Sequence, residues 1–190
     1  MTPLSPRAMD RQPVLRSALL ELRPLRESDW GELYAVARDP LIWEQHPAAD
    51  RWKEEVFRGF FREAMASGGA LVAIDPRDGR IIGSSRYHDY DPVKREVEIG
   101  WSFLARDRWG GRWNGEMKRL MLEHAFRFVD RVLFVIGPEN RRSRRAVEKI
   151  GAVYAGTKDV GADPKVVYSL SKEFSYSTAE DGEAEGGEKQ

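Results

Sequence analysis

The stretch WSFLARDRWGGRWNGEMKRLMLEHAFRFVDRVLFVIGPENRRSRRAVEKIG, Trp101 to Gly151, decides the fold. It opens as an apolar strand and turns at Arg108-Trp109-Gly110-Gly111-Arg112-Trp113-Asn114. A helix follows from Asn114 to Val129, with Met117, Leu120, Met121, Ala125 and Phe128 on one stripe at helical spacing. Arg131 to Gly137 is a strand again. After Gly137-Pro138-Glu139-Asn140, an arginine-rich helix runs from Arg141 to Ile150 and stops at Gly151. Strand, long helix and strand in that order make a parallel crossover. A glycine turn that feeds a helix start aims backbone amides and the positive end of the helix dipole at one point, which suits a phosphate. The turn is not a Walker A loop, which needs a Gly-Lys-Ser/Thr ending. Nor is it a Rossmann fingerprint, which needs three spaced glycines.

Outward from this stretch, the chain alternates short elements. Leu19 to Leu25 is a first strand. Ser28 can cap a helix through Trp30, Leu33, Tyr34 and Ala37 that stops before Pro40. Asp50 opens a second helix, with Trp52, Val56, Phe60 and Ala64 on one face, ended by Ser67-Gly68-Gly69. Ala70 to Ile74, Arg80 to His88 and Arg95 to Leu104 form a meander, with turns at Asp75-Pro76-Arg77-Asp78-Gly79 and Asp89-Tyr90-Asp91-Pro92. Ala152 to Val160 and Lys165 to Leu170 pair through Gly161-Ala162-Asp163-Pro164. The expectation is an α/β fold: a mixed, mostly antiparallel sheet of about seven strands, a central parallel crossover and flanking helices. Residues 1–18 read as an N-terminal arm, 19–173 as one domain, and 174–190 as a disordered acidic tail rich in Gly and Glu.

Composition narrows the function. The 190 residues are 41% hydrophobic and 33% charged, with a formal net charge of zero and no cysteine. Disulfides, thiolate catalysis and cysteine-bound metal are excluded. His46, His88 and His124 are scattered without metal-ligand spacing, so no metal is expected. No apolar run approaches the ~20 residues needed to span a bilayer. No continuous apolar segment near the N-terminus reads as a secretory signal. A cytoplasmic protein without a membrane partner is expected. Arg141, Arg142, Arg144 and Arg145 form a basic run, but zero net charge and the acidic tail argue against nucleic acid.

Three blocks carry a family resemblance over Leu19 to Lys172: Glu98-Ile99-Gly100-Trp101, then Trp109-Gly110-Gly111, then Asn140-Arg141-Arg142-Ser143 followed by Ala146-Val147-Glu148-Lys149-Ile150-Gly151-Ala152. Tyr168-Ser169-Leu170 fits the final strand. In this order the chain resembles the GNAT superfamily of N-acetyltransferases, and within it the branch of ribosomal-protein N-terminal acetyltransferases. One departure stands out. The family's phosphate turn carries a second glycine two residues after the first. Here that place holds Arg112 or Trp113, and Asn114, Glu116 and Lys118 follow as a branch variant.

The resemblance implies acetyl-CoA as co-substrate and an amine acceptor, either a protein N-terminus or a small molecule. It leaves a homodimer open. The turn Trp109, Gly110, Gly111, Arg112, Trp113, Asn114 would hold the pyrophosphate, with Arg112 or Lys118 adding charge. Backbone beside Phe103, Leu104 and Ala105 would polarise the acetyl carbonyl. Asn140 would bond the pantetheine arm, Ser143 would stabilise the leaving thiolate, and Arg144 would reach the 3′-phosphate. Glu98 would take the proton from the amine. That step is demanding: neutralising a lysine amine of pKa ~10.4 at pH 7 costs about 4.6 kcal/mol, and an α-amine of pKa ~8 about 1.4. Strand alternation puts Glu96 on the same face as Glu98, so the period alone does not choose between them. Each site also has a plainer reading. The turn can be a simple connection, Asn140 an N-cap, the arginines a solvated face, and Glu98 a partner of Lys94 or Arg95. Trp43, Trp52, Phe57, Phe60 and Phe61 can line an acceptor pocket or fill a core. A coenzyme A-binding module without catalysis would keep the turn and Asn140 but need neither Glu98 nor Ser143.

The turn makes the first prediction. Replacing Gly110 with a β-branched residue should weaken acetyl-CoA binding more than folding; wild-type affinity of the variant by calorimetry would remove the phosphate assignment.

Overall fold

The computed structural model describes residues 8–161 and 163–173. The expected tail, 174–190, the start of the arm, 1–7, and Ala162 of the last turn lie outside the described residues.

Eight strands form one sheet: β1 (Leu15–Arg16), β2 (Glu21–Pro24), β3 (Ala70–Ile74), β4 (Ile81–Asp91), β5 (Glu96–Leu104), β6 (Arg131–Ile136), β7 (Val153–Val160) and β8 (Asp163–Ser171). Their order is β1-β2-β3-β4-β5-β6-β8-β7. Every neighbouring pair is antiparallel except β5–β6. The expected mixed sheet with a central crossover is what forms. The extra strand is β1, two residues inside the stretch read as an arm, paired with β2 through Leu15↔Leu22.

Helices α1 (Trp30–Ala37) and α2 (Glu54–Ala66) cover one face of the sheet, while α3 (Trp113–Ala125) and α4 (Arg141–Glu148) pack with the other. Two apolar clusters result. Leu71, Tyr87, Val97, Ile99, Met117 and Met121 belong to the α3 side. Leu33, Phe57, Phe60, Val72 and Phe103 belong to the α2 side. Alternation along β5 sends Val97 and Ile99 to the first and Glu98 away from it. Complete burial of a Leu or Phe side chain contributes about 1.5–3 kcal/mol, so these clusters dominate the stability of the fold.

Helix boundaries shift where a better partner exists. Ser28 is not the cap before α1. Asp29 holds that position without a side-chain bond to the helix: its carboxylate turns back to accept from the Arg26 amide at 2.8 Å and from both terminal nitrogens of the Arg23 guanidinium at 2.8 Å. The second helix starts at Glu54 rather than Asp50, which instead closes a turn with Lys53. The stripe of α3 reaches Ala125, and Phe126 to Val129 continue it only as a tightened turn that still buries Phe126 and Val129.

Two irregularities place the site. The parallel contact between β5 and β6 lasts from Glu96↔Arg131 to Glu98↔Leu133 and then ends, so the strands diverge. On the other side of β5 the register with β4 slips between Ser84↔Phe103 and Arg86↔Gly100. Two residues, Trp101 and Ser102, face one, Ser85, which is a β-bulge. Trp101 sits there at φ 51°, a conformation that strains a bulky side chain. The bulge turns Trp101 onto the α2 face and Ser102 onto the α3 face.

Close pairing of β4 with β5 depends on Gly83. A Cβ there would lie 2.1 Å from the Phe103 carbonyl oxygen and 2.8 Å from Leu104 Cδ2. Gly83→Ala should therefore part the strands and cost about 1–3 kcal/mol, read as a lower urea midpoint at unchanged slope.

Candidate active site

The divergence of β5 from β6 opens a cleft with two sides. On the α3 side, the turn after β5 leads into a helix start with no side-chain cap. Gly110 adopts φ +70°, which a side chain resists, and a Cβ there would meet nothing within 4 Å. Among the described residues, no backbone amide from Gly110 to Gly115 donates to a protein acceptor. Orphan amides of this kind form a ready anion cradle. Arg112 stands at the helix start, and Arg77 and Arg108 lie 5.4 Å and 5.1 Å over the Trp113 ring. Asn114 is already in the first turn of α3.

Trp109 ties this turn down. Its indole Nε1 donates to the Leu104 carbonyl at 2.9 Å, and the Arg142 guanidinium lies 4.1 Å over its ring. Arg142 belongs to α4, so the glycine turn and the arginine-rich helix meet. Asn140 caps α4 in the plain sense: its side-chain oxygen accepts from the Ser143 amide at 3.1 Å. That leaves the Asn140 NH2 group and the Ser143 hydroxyl without protein partners among the described residues.

Two expected contacts are redirected. Lys118 does not point to the turn. It is buried on the inner face of α3, where it donates to Ser102 Oγ at 2.5 Å, 5.5 Å over the Phe134 ring. Burial away from any carboxylate lowers its pKa to about 7. Arg144 donates to the Tyr168 hydroxyl at 3.1 Å and to the Pro138 carbonyl at 2.9 Å. Of the three expected backbone donors, Ala105 is spent on the Ile82 carbonyl at 2.8 Å. Ladder alternation turns the Phe103 amide towards β4 as well. Leu104 is the one whose amide faces the gap.

On the α2 side lies a cavity of about 460 Å³. Its wall includes His46, Arg51, His88, Glu98, Trp101 and Lys158. A second hollow, walled by Gln45, Pro138 and Asn140, shares His46, Pro47, Gly137 and Lys165 with it, so the spaces beside Glu98 and Asn140 adjoin. Glu98 is buried, and desolvation raises its pKa to about 7, against a smaller opposite pull from Lys158. Its plainer partners are taken: Arg95 pairs with Asp130, and Lys94 with Asp91. Glu96 pairs with Arg131 at the closed end of the fork. The two carboxylates share a face, but only Glu98 reaches the cavity. The glycine turn and Ser143 border neither hollow.

Several wall residues had no sequence signal. Trp43, Phe57, Phe60 and Phe61 are core rather than wall. The loop between Trp43 and α2, His46 to Arg51, is the wall instead. Two of its contacts, Arg51 over Trp43 at 5.1 Å and over Phe60 at 4.7 Å, join loop to core.

The family model described as the acetyltransferase (GNAT) domain matches residues 20–153. The chain belongs to the GNAT acetyltransferase family. An uncharacterized protein of Bacillus subtilis (strain 168), YkkB, is 28% identical over 156 residues, covering 78% of this chain and 90% of that protein. A GCN5-related N-acetyltransferase from Brucella melitensis superposes with a TM-score of 0.78 at 19% identity, over 91% of this chain and 85% of that one. Mycobacterium smegmatis RimJ, solved in complex with CoA-disulfide, does so with a TM-score of 0.67 at 19% identity, over 90% and 93%. These structural likenesses establish the GNAT fold. Membership of the ribosomal-protein branch does not follow from identities this low. Among the described residues, no helix is long and apolar enough to cross a membrane, and no group of three or more acidic or imidazole side chains could hold a metal ion.

The buried lysine predicts a pH-dependent stability. Its folded pKa is lowered from 10.5 to about 7, so the folded state binds fewer protons between those values and stability rises with pH across that window. Lys118→Met should remove this rise and, at pH 6, stabilise the protein by about 1–4 kcal/mol. Guanidinium melts at pH 6, 8 and 10 test it; a rise that survives in the variant would mean that another group titrates.

Proposed function

We propose that the protein is an acetyl-CoA-dependent N-acetyltransferase that passes an acetyl group directly to a primary amine. One observation carries the reading: a buried carboxyl group with a pKa raised to about 7 stands at the mouth of the fork, on the wall of a cavity that adjoins the hollow at the Asn140 cap. A base for an ammonium group works best with a pKa near the working pH. The orphan amides of Gly110 to Gly115, with Arg112 beside them, fit a pyrophosphate. The Asn140 NH2 group fits an amide of the pantetheine arm. The co-substrate would supply the activated thioester.

The chain's own residues divide the rest. Glu98 takes the proton from the ammonium, so the nitrogen lone pair is free to attack the thioester carbonyl. A C–N bond forms, the C–S bond breaks, and the leaving thiolate takes up the second proton that the nitrogen loses as the amide forms. The Leu104 amide faces the place where negative charge develops on the carbonyl oxygen, and fixed donors of this kind need no reorganisation. The Ser143 hydroxyl, uncommitted in the first turn of α4, would donate to the leaving sulfur.

This assignment has a kinetic signature. The rate, as kcat/KM, should climb with pH through about 7 and level off above it, as Glu98 loses its proton. Glu98→Gln should abolish that limb and lower kcat by roughly 10²–10⁴ while acetyl-CoA affinity holds. Burial disfavours the ionised form, so Glu98 withdraws stability as pH rises through its folded pKa. The variant should therefore melt higher than wild type above pH 7, which separates lost chemistry from lost folding. Tight acetyl-CoA binding with no transfer to any amine would favour a coenzyme-binding module without catalysis.

A further inference from the structure

Arg86 is the one buried arginine whose charge no described residue answers. It is 4% exposed, and its Nε and Nη2 have no hydrogen-bond partner. Aromatic faces hold it in place, with the guanidinium 4.6 Å over Trp101 and 5.5 Å over Phe60. No carboxylate lies within salt-bridge distance among the described residues. An unpaired buried charge is among the most costly features a fold can keep.

Its position ties it to the cavity. The pairs Arg86↔Gly100 and His88↔Glu98 place Arg86, His88 and Glu98 on one face of the sheet. His88 and Glu98 are cavity wall, and Trp101, under Arg86, is wall as well. Arg86 is not itself on the wall: it lies against Trp101, next to that hollow, one diagonal step from the carboxyl proposed as base, roughly 7–8 Å between Cα atoms.

The loop opposite carries a second unmet donor. The Ala48 amide donates to His46 Nδ1 at 2.9 Å. A neutral imidazole has one acceptor nitrogen, so Nε2 must carry the proton. Yet Nε2 faces Arg51 Nη1 at 3.2 Å, donor against donor. Protonation of the ring would worsen the conflict. Burial and the Arg51 charge in fact hold the ring neutral, lowering its pKa to about 3. An acceptor atom between His46 and Arg51 would resolve it. Arg51, like Arg86, stacks on Phe60. Glu63, the carboxylate that acts on both arginines, is exposed and bonds to neither.

We infer that this cavity binds a carboxylate between His46 and Arg51, with the Arg86 charge behind Trp101 adding to the attraction, and that the acceptor is a small amine bearing its own carboxylate, an amino-acid-like zwitterion. The inference rests on the transferase reading: the ammonium lies against Glu98 and the carboxylate lies inward. The hollow of about 460 Å³ suits a molecule of that size. Lys158 and Lys165 on the wall are balanced by Asp89 and Asp163 beside them, which leaves Arg51 as the wall cation without an ion-pair partner among the described residues.

The test uses matched acceptors: L-phenylalanine against L-phenylalaninamide, and β-alanine against its amide. Wild-type kcat/KM should favour the carboxylate member, although the amide's amine is the less basic and easier to free. A wild-type ratio at or below one overturns the proposal. In Arg86→Met the ratio should fall about 30-fold, mainly through KM of the carboxylate member. A ratio unchanged in a variant that melts normally overturns it. If Arg86→Met fails to fold, Arg51→Gln, on the half-exposed loop, should lower the ratio in the same sense; an unchanged ratio there counts against it equally. Calorimetry with the protein saturated in coenzyme A separates the two proposals. Arginine-dependent binding of L-phenylalanine without turnover supports the carboxylate site and sinks the transferase reading. Equal binding of acid and amide sinks the carboxylate site alone. A tripeptide with an acidic second residue acetylated in preference to every free amino acid would overturn the small acceptor.

Discussion

The rest of the site depends on how briefly β5 and β6 stay together. Three residue pairs hold them in parallel, and ion pairs clamp the closed end: Arg95 with Asp130, and Glu96 with Arg131. Beyond Glu98 the ladder stops. A strand that leaves its neighbour gives up backbone bonds worth about 0.5–1.5 kcal/mol each, and its unpaired groups need other partners. Trp109 Nε1 supplies one for the Leu104 carbonyl. The Leu104 amide has none from the sheet, and that is what a carbonyl-polarising group requires. The same divergence exposes Glu98 to a cavity while keeping it largely dry.

The bulge at Trp101 completes the arrangement. Without it, alternation would send Trp101 to the α3 side with Ile99. With it, Trp101 covers the acceptor face, supports Arg86 and stacks edge-on with His88 at 4.8 Å. Ser102 in turn meets Lys118. β5 thus separates two groups brought to a pKa of about 7 by the same cause, loss of water, acting in opposite senses on an acid and a base. They respond oppositely to pH, because one is disfavoured as an anion and the other as a cation.

The crossover from Trp101 to Gly151 was legible because its signals are local. The α3 stripe, the stop at Gly151 and the turn before the helix each depend on neighbours a few residues away. The residues facing the acceptor cavity were much less so. A period of two puts Glu96 and Glu98 on one face, and only the place where β6 departs separates them. A bulge breaks that period, so Trp101 could not be assigned a face. Arg86 sits within the run from Ile81 to Tyr87 that is buried throughout, and nothing in the period marks it as set apart from its neighbours. Of the aromatics before α2 and within it, Trp43, Phe57, Phe60 and Phe61 are core, and Trp52 is exposed. The loop between, His46 to Arg51, has no periodicity at all, and its contacts come from packing against Phe60 and Trp43. Lys118 and Arg144 were read as phosphate ligands because charge near a glycine turn suggests them. Burial and Tyr168 claim them instead.

A zwitterionic guest accounts for features that otherwise oppose one another. The cavity keeps a carboxyl that resists ionisation at one end and a guanidinium that cannot lose its charge at the other. In the free protein neither end is electrically satisfied. A guest with an ammonium and a carboxylate meets both, and each contact makes the other stronger by excluding water from the space between. Binding would favour the ionised form of Glu98 through the adjacent ammonium, which is the form that accepts a proton. Once that proton moves, the amine is neutral and the attraction at that end falls, while the attraction of the arginines for the carboxylate is unchanged. The carboxylate therefore holds the substrate in register at the step when the ammonium contact disappears. A purely cationic acceptor would lack this second anchor, and it would bring a further positive charge beside an arginine that already has no counter-ion.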